Sequence, residues 1–225
     1  EKIEMDEWCA LTPEQAALYA QIQAGAEPML ADLRAGRRVD YAANILPILT
    51  KLKQACDHPA IVNGQTRPLA DRSEKFDWVI GRAQAIVDSG EQVLIFSHFL
   101  GMLDLLEAAV QERGISYIRL DGATANRQAL IDHFNAGRAK VGLFSIRAAG
   151  HGITVTAANH VIHADRWWNP AVENQATDRV HRIGQTKTVY VYRIMVENTL
   201  EERIEKLLER KQAIADTIMG AAGRE

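Results

Sequence analysis

Val93-Leu94-Ile95-Phe96 is the stretch on which the fold turns. It is a short, unbroken apolar run, as expected of a strand covered on both faces. Working outward, Ser73 is positioned to cap a helix running to about Ser89-Gly90. A second helix is predicted from about Gly101 to Arg113, stopped by Gly114. Ser116 to Leu120 reads as a strand ending at Asp121-Gly122, and Thr124 as the cap of a helix through Phe134 that ends near Gly137. Val141 to Phe144, His160 to His163 and Val189 to Ile194 read as three further strands. Strands separated by helices of this length predict an α/β fold, a parallel sheet with helices on both faces. There is no internal repeat and no low-complexity tract.

The flanks read as helix. Thr12-Pro13-Glu14-Gln15 combines an N-cap Thr, a Pro at the first helical position and a Gln two residues on, a capping box with a proline start. Nothing before it is long enough to be a domain. A second helical stretch around Tyr41 to Ala55 ends at Asp57-His58-Pro59, and Asn63 to Arg72 reads as a loop. Thr199 and Glu202 predict another capping box, opening one long amphipathic helix with the stripe Ile204, Leu207, Leu208, Ile214 and Ile218, ended by Gly220. The divisions are therefore a helical lead-in over 1–72, the α/β unit over 73–195 and a packing helix over 196–225.

Composition narrows the function classes. Hydrophobic residues make up 47% and charged residues 24% of 225, an ordinary soluble balance. No apolar run approaches the ~20 residues needed to span a bilayer, and Glu1-Lys2-Ile3-Glu4 lacks a signal-peptide pattern. Cys9 and Cys56 are far apart and predict free thiols in a reducing compartment. Cys56 with His58 could suggest a metal, but no second pair of ligands follows at a zinc-like spacing, so Cys56 reads as a buried residue at a helix end and no metal site is expected. Net charge is −3, yet the segment from Arg138 to Arg193 holds eight basic residues against three acids. A local basic surface on an acidic chain suits phosphate at one face.

Three clusters carry chemistry. In Gln175-Ala176-Thr177-Asp178-Arg179-Val180-His181-Arg182-Ile183-Gly184-Gln185, an ideal helix puts Val172, Ala176, Val180 and Ile183 on one stripe. Gln175, Arg179 and Arg182 fall on another. Two guanidiniums pointing together suit phosphate oxygens, because the planar fork binds in two places and never deprotonates. Read alone, the same face could be solvated, with Asp178 paired to Arg182. Ser145-Ile146-Arg147-Ala148-Ala149-Gly150-His151-Gly152-Ile153-Thr154 follows a strand; its small residues let backbone N–H groups approach a phosphate, although a lone Gly-x-Gly is more often just a loop. Asp165-Arg166-Trp167-Trp168-Asn169-Pro170 places two tryptophans in a loop, one suited to the core and one to a nucleic acid.

Together these runs resemble the C-terminal RecA-like lobe of the Swi/Snf-type ATPases, a branch of the superfamily-two helicases. Leu52-Lys53-Gln54-Ala55-Cys56-Asp57-His58-Pro59 resembles the family's approach to this lobe, with 1–72 protrusion-like. Val93 to Phe99 resembles motif IV, Ser145 to Thr154 motif V, and Trp167 to Ala176 running into Asp178 to Gln185 motif VI with its lead-in. Ala149 stands where the family commonly has Gly, and Thr154 where it often has Asn.

The resemblance implies a double-stranded DNA translocase or remodeller, with ATP and Mg2+ held mainly by a separate first lobe. It assigns Arg179, Arg182 and Gln175 to catalysis, and Gly150, Gly152 and Asp178 to the nucleotide. Ser97, His98, Asp121, Gly122, Ser145, Arg147 and Trp168 are assigned to the DNA backbone. No Gly-x-x-x-x-Gly-Lys-Ser/Thr and no Asp-Glu-x-His box occurs here; in the family both belong to the first lobe, so the fragment alone is expected to be inactive. Expected partners are duplex DNA and that N-terminal lobe, with no membrane and a monomeric state. The expected location is intracellular, cytoplasmic or nucleoid in a bacterium and nuclear in a eukaryote. The competing reading is a non-catalytic docking module for DNA or protein. An RNA helicase of a neighbouring branch is disfavoured by Trp-Trp-Asn-Pro and by Ile183-Gly184-Gln185.

Overall fold

The computed structural model describes residues 1–64, 67–149, 154–166, 168–178 and 186–210. Its strands are β1 (Lys2–Cys9), β2 (Val93–Ser97), β3 (Tyr117–Leu120), β4 (Val141–Ser145), β5 (His160–His163) and β6 (Val189–Val196). They form one sheet in the order β1-β6-β5-β2-β4-β3, with every neighbouring pair parallel. All six strand C-termini therefore lie along one edge. The helices are α1 (Pro13–Arg34), α2 (Leu46–Asp57), α3 (Pro59–Asn63), α4 (Glu74–Asp88), α5 (Leu100–Glu112), α6 (Arg127–Asn135), α7 (Ile146–Ala149), α8 (Pro170–Thr177) and α9 (200–210). This is the expected RecA-like α/β architecture.

The unbroken apolar run is the centre of the sheet. Alternate residues of a strand face opposite sides, so Val93 and Ile95 pack with α4 and α5, while Leu94 and Phe96 pack with α6, α7 and Ala176 of α8. Val93, Leu94, Ile95 and Phe96 are all fully buried. Each large side chain so covered contributes roughly 1.5–3 kcal/mol. A third, smaller core joins Leu18 and Tyr19 of α1 to Leu52, Ala55 and Cys56 of α2 and to Val196.

Four local expectations are revised. The lead-in expected to be helical begins with a strand: Lys2–Cys9 is an edge strand against β6, with Asp6 opposite Arg193 and paired to it at 2.6 Å. Its alternating acids hid it, because an edge strand needs no apolar run. Thr124 does not cap α6; its hydroxyl accepts from the Asp121 N–H at 2.8 Å, and the N-cap is Asn126 in the left-handed region. The second capping box is shifted by one residue: the Thr199 hydroxyl accepts from the Glu201 N–H, and the Glu202 carboxylate accepts from the Asn198 N–H. Leu207, expected on the apolar stripe, is exposed, while Ile204 is buried; Ile214, Ile218 and Gly220 lie outside the described residues. The first capping box stands as read, Thr12 accepting from Gln15 at 3.2 Å and Gln15 from Thr12 at 3.1 Å. Among the described helices none is long and apolar enough to cross a membrane.

Candidate functional site

In open parallel sheets, ligands sit beyond the strand C-termini, where connections leave two adjacent strands in opposite directions. Here the chain leaves β2 towards β3 on one side and leaves β5 towards β6 on the other. The crevice between β2 and β5 is thus the place to look. The protein itself fills it: Asp165 accepts from the Ser97 hydroxyl and from the His98 N–H at 3.0 and 3.2 Å. The His98 N–H at the end of β2 is thereby engaged by a carboxylate of the same chain. Ser97 is fully buried, with its hydroxyl spent on Asp165 and on the Phe99 N–H at 3.0 Å. Burial pushes the His98 imidazole below its ordinary range, against the pull of Asp165, while Lys53 and Arg147 add to the lowering.

The other DNA candidates line the same edge. Ser145 lies directly opposite Ser97 in the register. It is 7% exposed, and its hydroxyl accepts from the Ala148 N–H, starting the short helix α7 where a loop was expected. Arg147 on α7 is exposed. Asp121 and Gly122 follow β3. Burial acts to raise the Asp121 carboxyl, but the Ala123 N–H and the Arg119 guanidinium hold it below the usual carboxylate range. Gly122 is exposed and Trp168 half-buried.

Helix α8 rises from this edge. Asn169 caps it, accepting from the Ala171 N–H at 3.1 Å, and Pro170 fills the first helical position. Gln175 is exposed, as the helical projection required, and Ala176 is in the core. Asp178 is exposed and forms the C-cap. Trp167, Gly150, Gly152, Arg179 and Arg182, and with them Val180 and Ile183, lie outside the described residues.

The anchoring of α8 was not foreseen. Its buried face is largely polar. Glu173, 3% exposed, meets Arg166, also 3% exposed, at 3.0 Å; Arg166 meets Glu205 of α9 at 2.8 Å. Thr177 shares a 2.9 Å hydrogen bond with His163 Nε2. Behind Arg166, its carbonyl accepts from the buried Lys53 ammonium of α2. Lys75 of α4 reaches Asp57 at 2.8 Å and Glu201 at 2.7 Å, all three fully buried. Burial works against the Lys75 charge; the carboxylates of Asp57 and Glu201 outweigh it and hold the ammonium protonated. Charged residues in a stretch otherwise read as helix or loop carry no periodic signal of burial. Lys53, Asp57, Arg166 and Glu173 stood within the runs quoted from the sequence, but nothing in those runs marked them as buried ion partners.

A separate cleft of about 350 Å3 is lined by Trp8, Asn198 and Lys206 and by Glu197, Glu202, Glu205 and Glu209, so its lining is predominantly acidic. Cys56 is fully buried in α2, and both cysteines are free thiols.

The helicase conserved C-terminal domain family matches residues 74–184. The SWI2/SNF2 ATPase C-terminal domain of Sulfolobus solfataricus superposes with a TM-score of 0.76 at 33% identity, over 94% of this chain and 87% of that one. The chain belongs to the SWI2/SNF2 family of helicase C-terminal lobes. This SWI2/SNF2 lobe also matches the Sulfolobus solfataricus SWI2/SNF2 ATPase core in complex with double-stranded DNA, with a TM-score of 0.80 and 36% identity, covering 98% of this chain and 46% of that one. It is 38% identical over 224 residues to YwqA of Bacillus subtilis (strain 168), named for ATP-dependent helicase/translocase activity, covering 97% of this chain and 24% of that protein. The lobe spans about a quarter or less of the length of the curated relatives it matches.

Proposed function

We propose that this lobe is the second motor half of an ATP-dependent double-stranded DNA translocase or remodeller. It lends Arg179 and Arg182, assisted by Gln175, to ATP and Mg2+ held mainly by an N-terminal RecA-like lobe of the same protein. The observation that carries the reading is the crevice between β2 and β5. There Asp165 engages the Ser97 hydroxyl and the His98 N–H, so those donors at the end of β2 are spent within the protein and the arginine side chains are the cationic groups this lobe lends to the nucleotide. Helix α8, anchored on its inner face and exposing Gln175 and Asp178, aims the chain towards the arginines. Guanidiniums suit the developing charge on phosphate oxygens because they are planar, permanently charged and preorganised. ATP supplies the anhydride whose cleavage releases the energy for movement. Gly150, Gly152 and Asp178 belong to the nucleotide side.

The DNA side is the strand-end surface of His98, Gly122, Arg147 and Trp168, with Ser97, Asp121 and Ser145 supporting it from behind. The Sulfolobus solfataricus relative solved with double-stranded DNA supports duplex DNA as the ligand class. The lobe works inside the cell, as a monomer, on nucleoid DNA in a bacterium or in the nucleus of a eukaryote.

Two assays on the purified lobe test this. ATP turnover is expected at background, with or without DNA. Duplex binding is expected to weaken with salt, with a log–log slope of about −2 to −4 for two to four phosphate contacts. DNA-stimulated turnover by the lobe alone, or binding that ignores salt and follows base sequence, would overturn the reading.

A further inference from the structure

The inner face of α8 is held at two points one helical turn apart. Glu173 and Thr177, four residues apart, share a face, and each meets a buried partner from β5 or the loop after it. Arg166 Nη1 lies 3.0 Å from Glu173, and His163 Nε2 lies 2.9 Å from Thr177 Oγ1. Both partners are themselves fixed. The His163 ring stacks on Phe96 of β2 with centroids 5.5 Å apart. The Arg166 carbonyl accepts from Lys53, and its second guanidinium nitrogen lies 2.8 Å from Glu205 of α9. A buried carboxylate–guanidinium–carboxylate triad is a poor source of net stability, since desolvation offsets most of the attraction. What it supplies is geometry: two nitrogens of one planar guanidinium each lie beside a carboxylate of a different helix, at 3.0 and 2.8 Å, so turning the side chain parts one ion pair or the other. The chain then has only two residues, about 7 Å at full extension, in which to pass from Thr177 to Arg179. Where α8 ends thus restricts where the first arginine can be.

We propose that Arg166 and His163 are positioning residues for Arg179 and Arg182, clamping α8 to the C-terminal end of β5 through Glu173 and Thr177. This rests on the reading of those arginines as nucleotide-facing. Neither Arg166 nor His163 is assigned contact with nucleotide or DNA.

The test uses the full-length, two-lobe protein, assayed for kcat, KM for ATP and duplex-DNA affinity, with each rate normalised to the folded fraction measured by thermal unfolding. Arg166→Lys keeps the charge and removes the fork. It is expected to lower kcat by about 10-fold or more, as small misplacements of a catalytic group do, with KM and DNA affinity changed less than 2-fold. Thr177→Val, a milder change should Arg166→Lys fold poorly, is expected to lower kcat about 3-fold, on the lower side of the same positioning effect. Thr177→Ser, which keeps the hydroxyl, is expected to restore most of that loss. The deciding arm combines each change with Arg182→Lys in single-turnover assays. Groups acting as one unit are not additive, so Arg166→Lys should cost little in the Arg182→Lys background. Losses that multiply, or Thr177→Ser as impaired as Thr177→Val, would overturn the proposal and leave the arginine reading standing. Wild-type turnover by Arg182→Lys and Arg182→Ala alike would overturn both.

Discussion

Phe96 and Phe144, fully buried, sit edge to face with ring centroids 5.9 Å apart in an apolar core. Lys53, Lys75, Asp57 and Glu201 are buried as completely, Lys75 between the two carboxylates and Lys53 3.9 Å from Glu201 while donating to the Arg166 carbonyl. The aromatic pair lies within the sheet and its covering helices. The ionic group lies where four separate pieces meet: α2 of the lead-in, α4, α9, and the loop after β5 that carries Asp165 and Arg166. Apolar packing gives cohesion and tolerates rearrangement of shape. Buried ions give little net cohesion, but they penalise every arrangement that leaves one unpaired. The comparison teaches that the sheet is built for stability and its C-terminal edge for fixed relative placement, and that edge bears the proposed motor surface.

Three changes probe that contrast, in decreasing order of effect. Lys75→Ala takes the cation from the buried Asp57 carboxylate and leaves Glu201 with the more distant Lys53, at 3.9 Å. It is expected to cost about 3–5 kcal/mol in urea unfolding followed by circular dichroism. A loss under about 1 kcal/mol, the range of exposed pairs, would mean that the ionic group is not a joint.

Next comes His163. Burial first, then Arg166 and its other cationic neighbours, depress its imidazole to about 3 from 6.5. The folded ring stays neutral while the unfolded ring takes a proton, so its contribution is complete above pH 6.5 and is lost as pH falls towards 3. Between pH 7 and pH 5 this amounts to about 2 kcal/mol. His163→Gln should lose that much less over the same interval, as measured by unfolding at both pH values. Equal pH dependence in the two proteins would show that the ring is not held neutral.

The smallest effect belongs to the apolar half. A Cβ on Gly142 would lie 2.3 Å from Leu94 Cδ2 and 3.1 Å from Phe144 Cε1. The nearer atom is the end of a rotatable side chain, so Gly142→Ala is expected to cost only about 1 kcal/mol by the same unfolding assay. A cost rivalling that of Lys75→Ala would erase the distinction between the two halves.

The same contrast explains what could be read from the amino-acid order. Val93 to Phe96 and Val141 to Phe144 announced buried strands because their side chains say so individually. Gly114 announced a helix end because its backbone, at φ 65°, is one that glycine adopts freely. Gln175 was expected on an exposed face and is exposed. Lys53, Lys75, Glu173 and Glu201 were opaque: each is buried beside a partner from a different element, Glu201 for Lys53 and Lys75 and the loop residue Arg166 for Glu173, and no local pattern encodes that. The edge strand β1 was opaque for the complementary reason, its acids being matched across the sheet by Arg193. Ser97 was expected at the DNA and lies instead beneath Asp165, because a hydroxyl at a strand end can turn inward as readily as outward.

Arg182→Ala in the two-lobe protein, with steady-state ATP turnover and duplex-DNA affinity measured on the same preparations, tests the central claim most directly. The expected result is a loss of turnover by a factor on the order of 10³ or more, with DNA affinity nearly unchanged and poor rescue by lysine. Turnover largely retained while DNA binding is lost would assign this face to DNA and contradict the account.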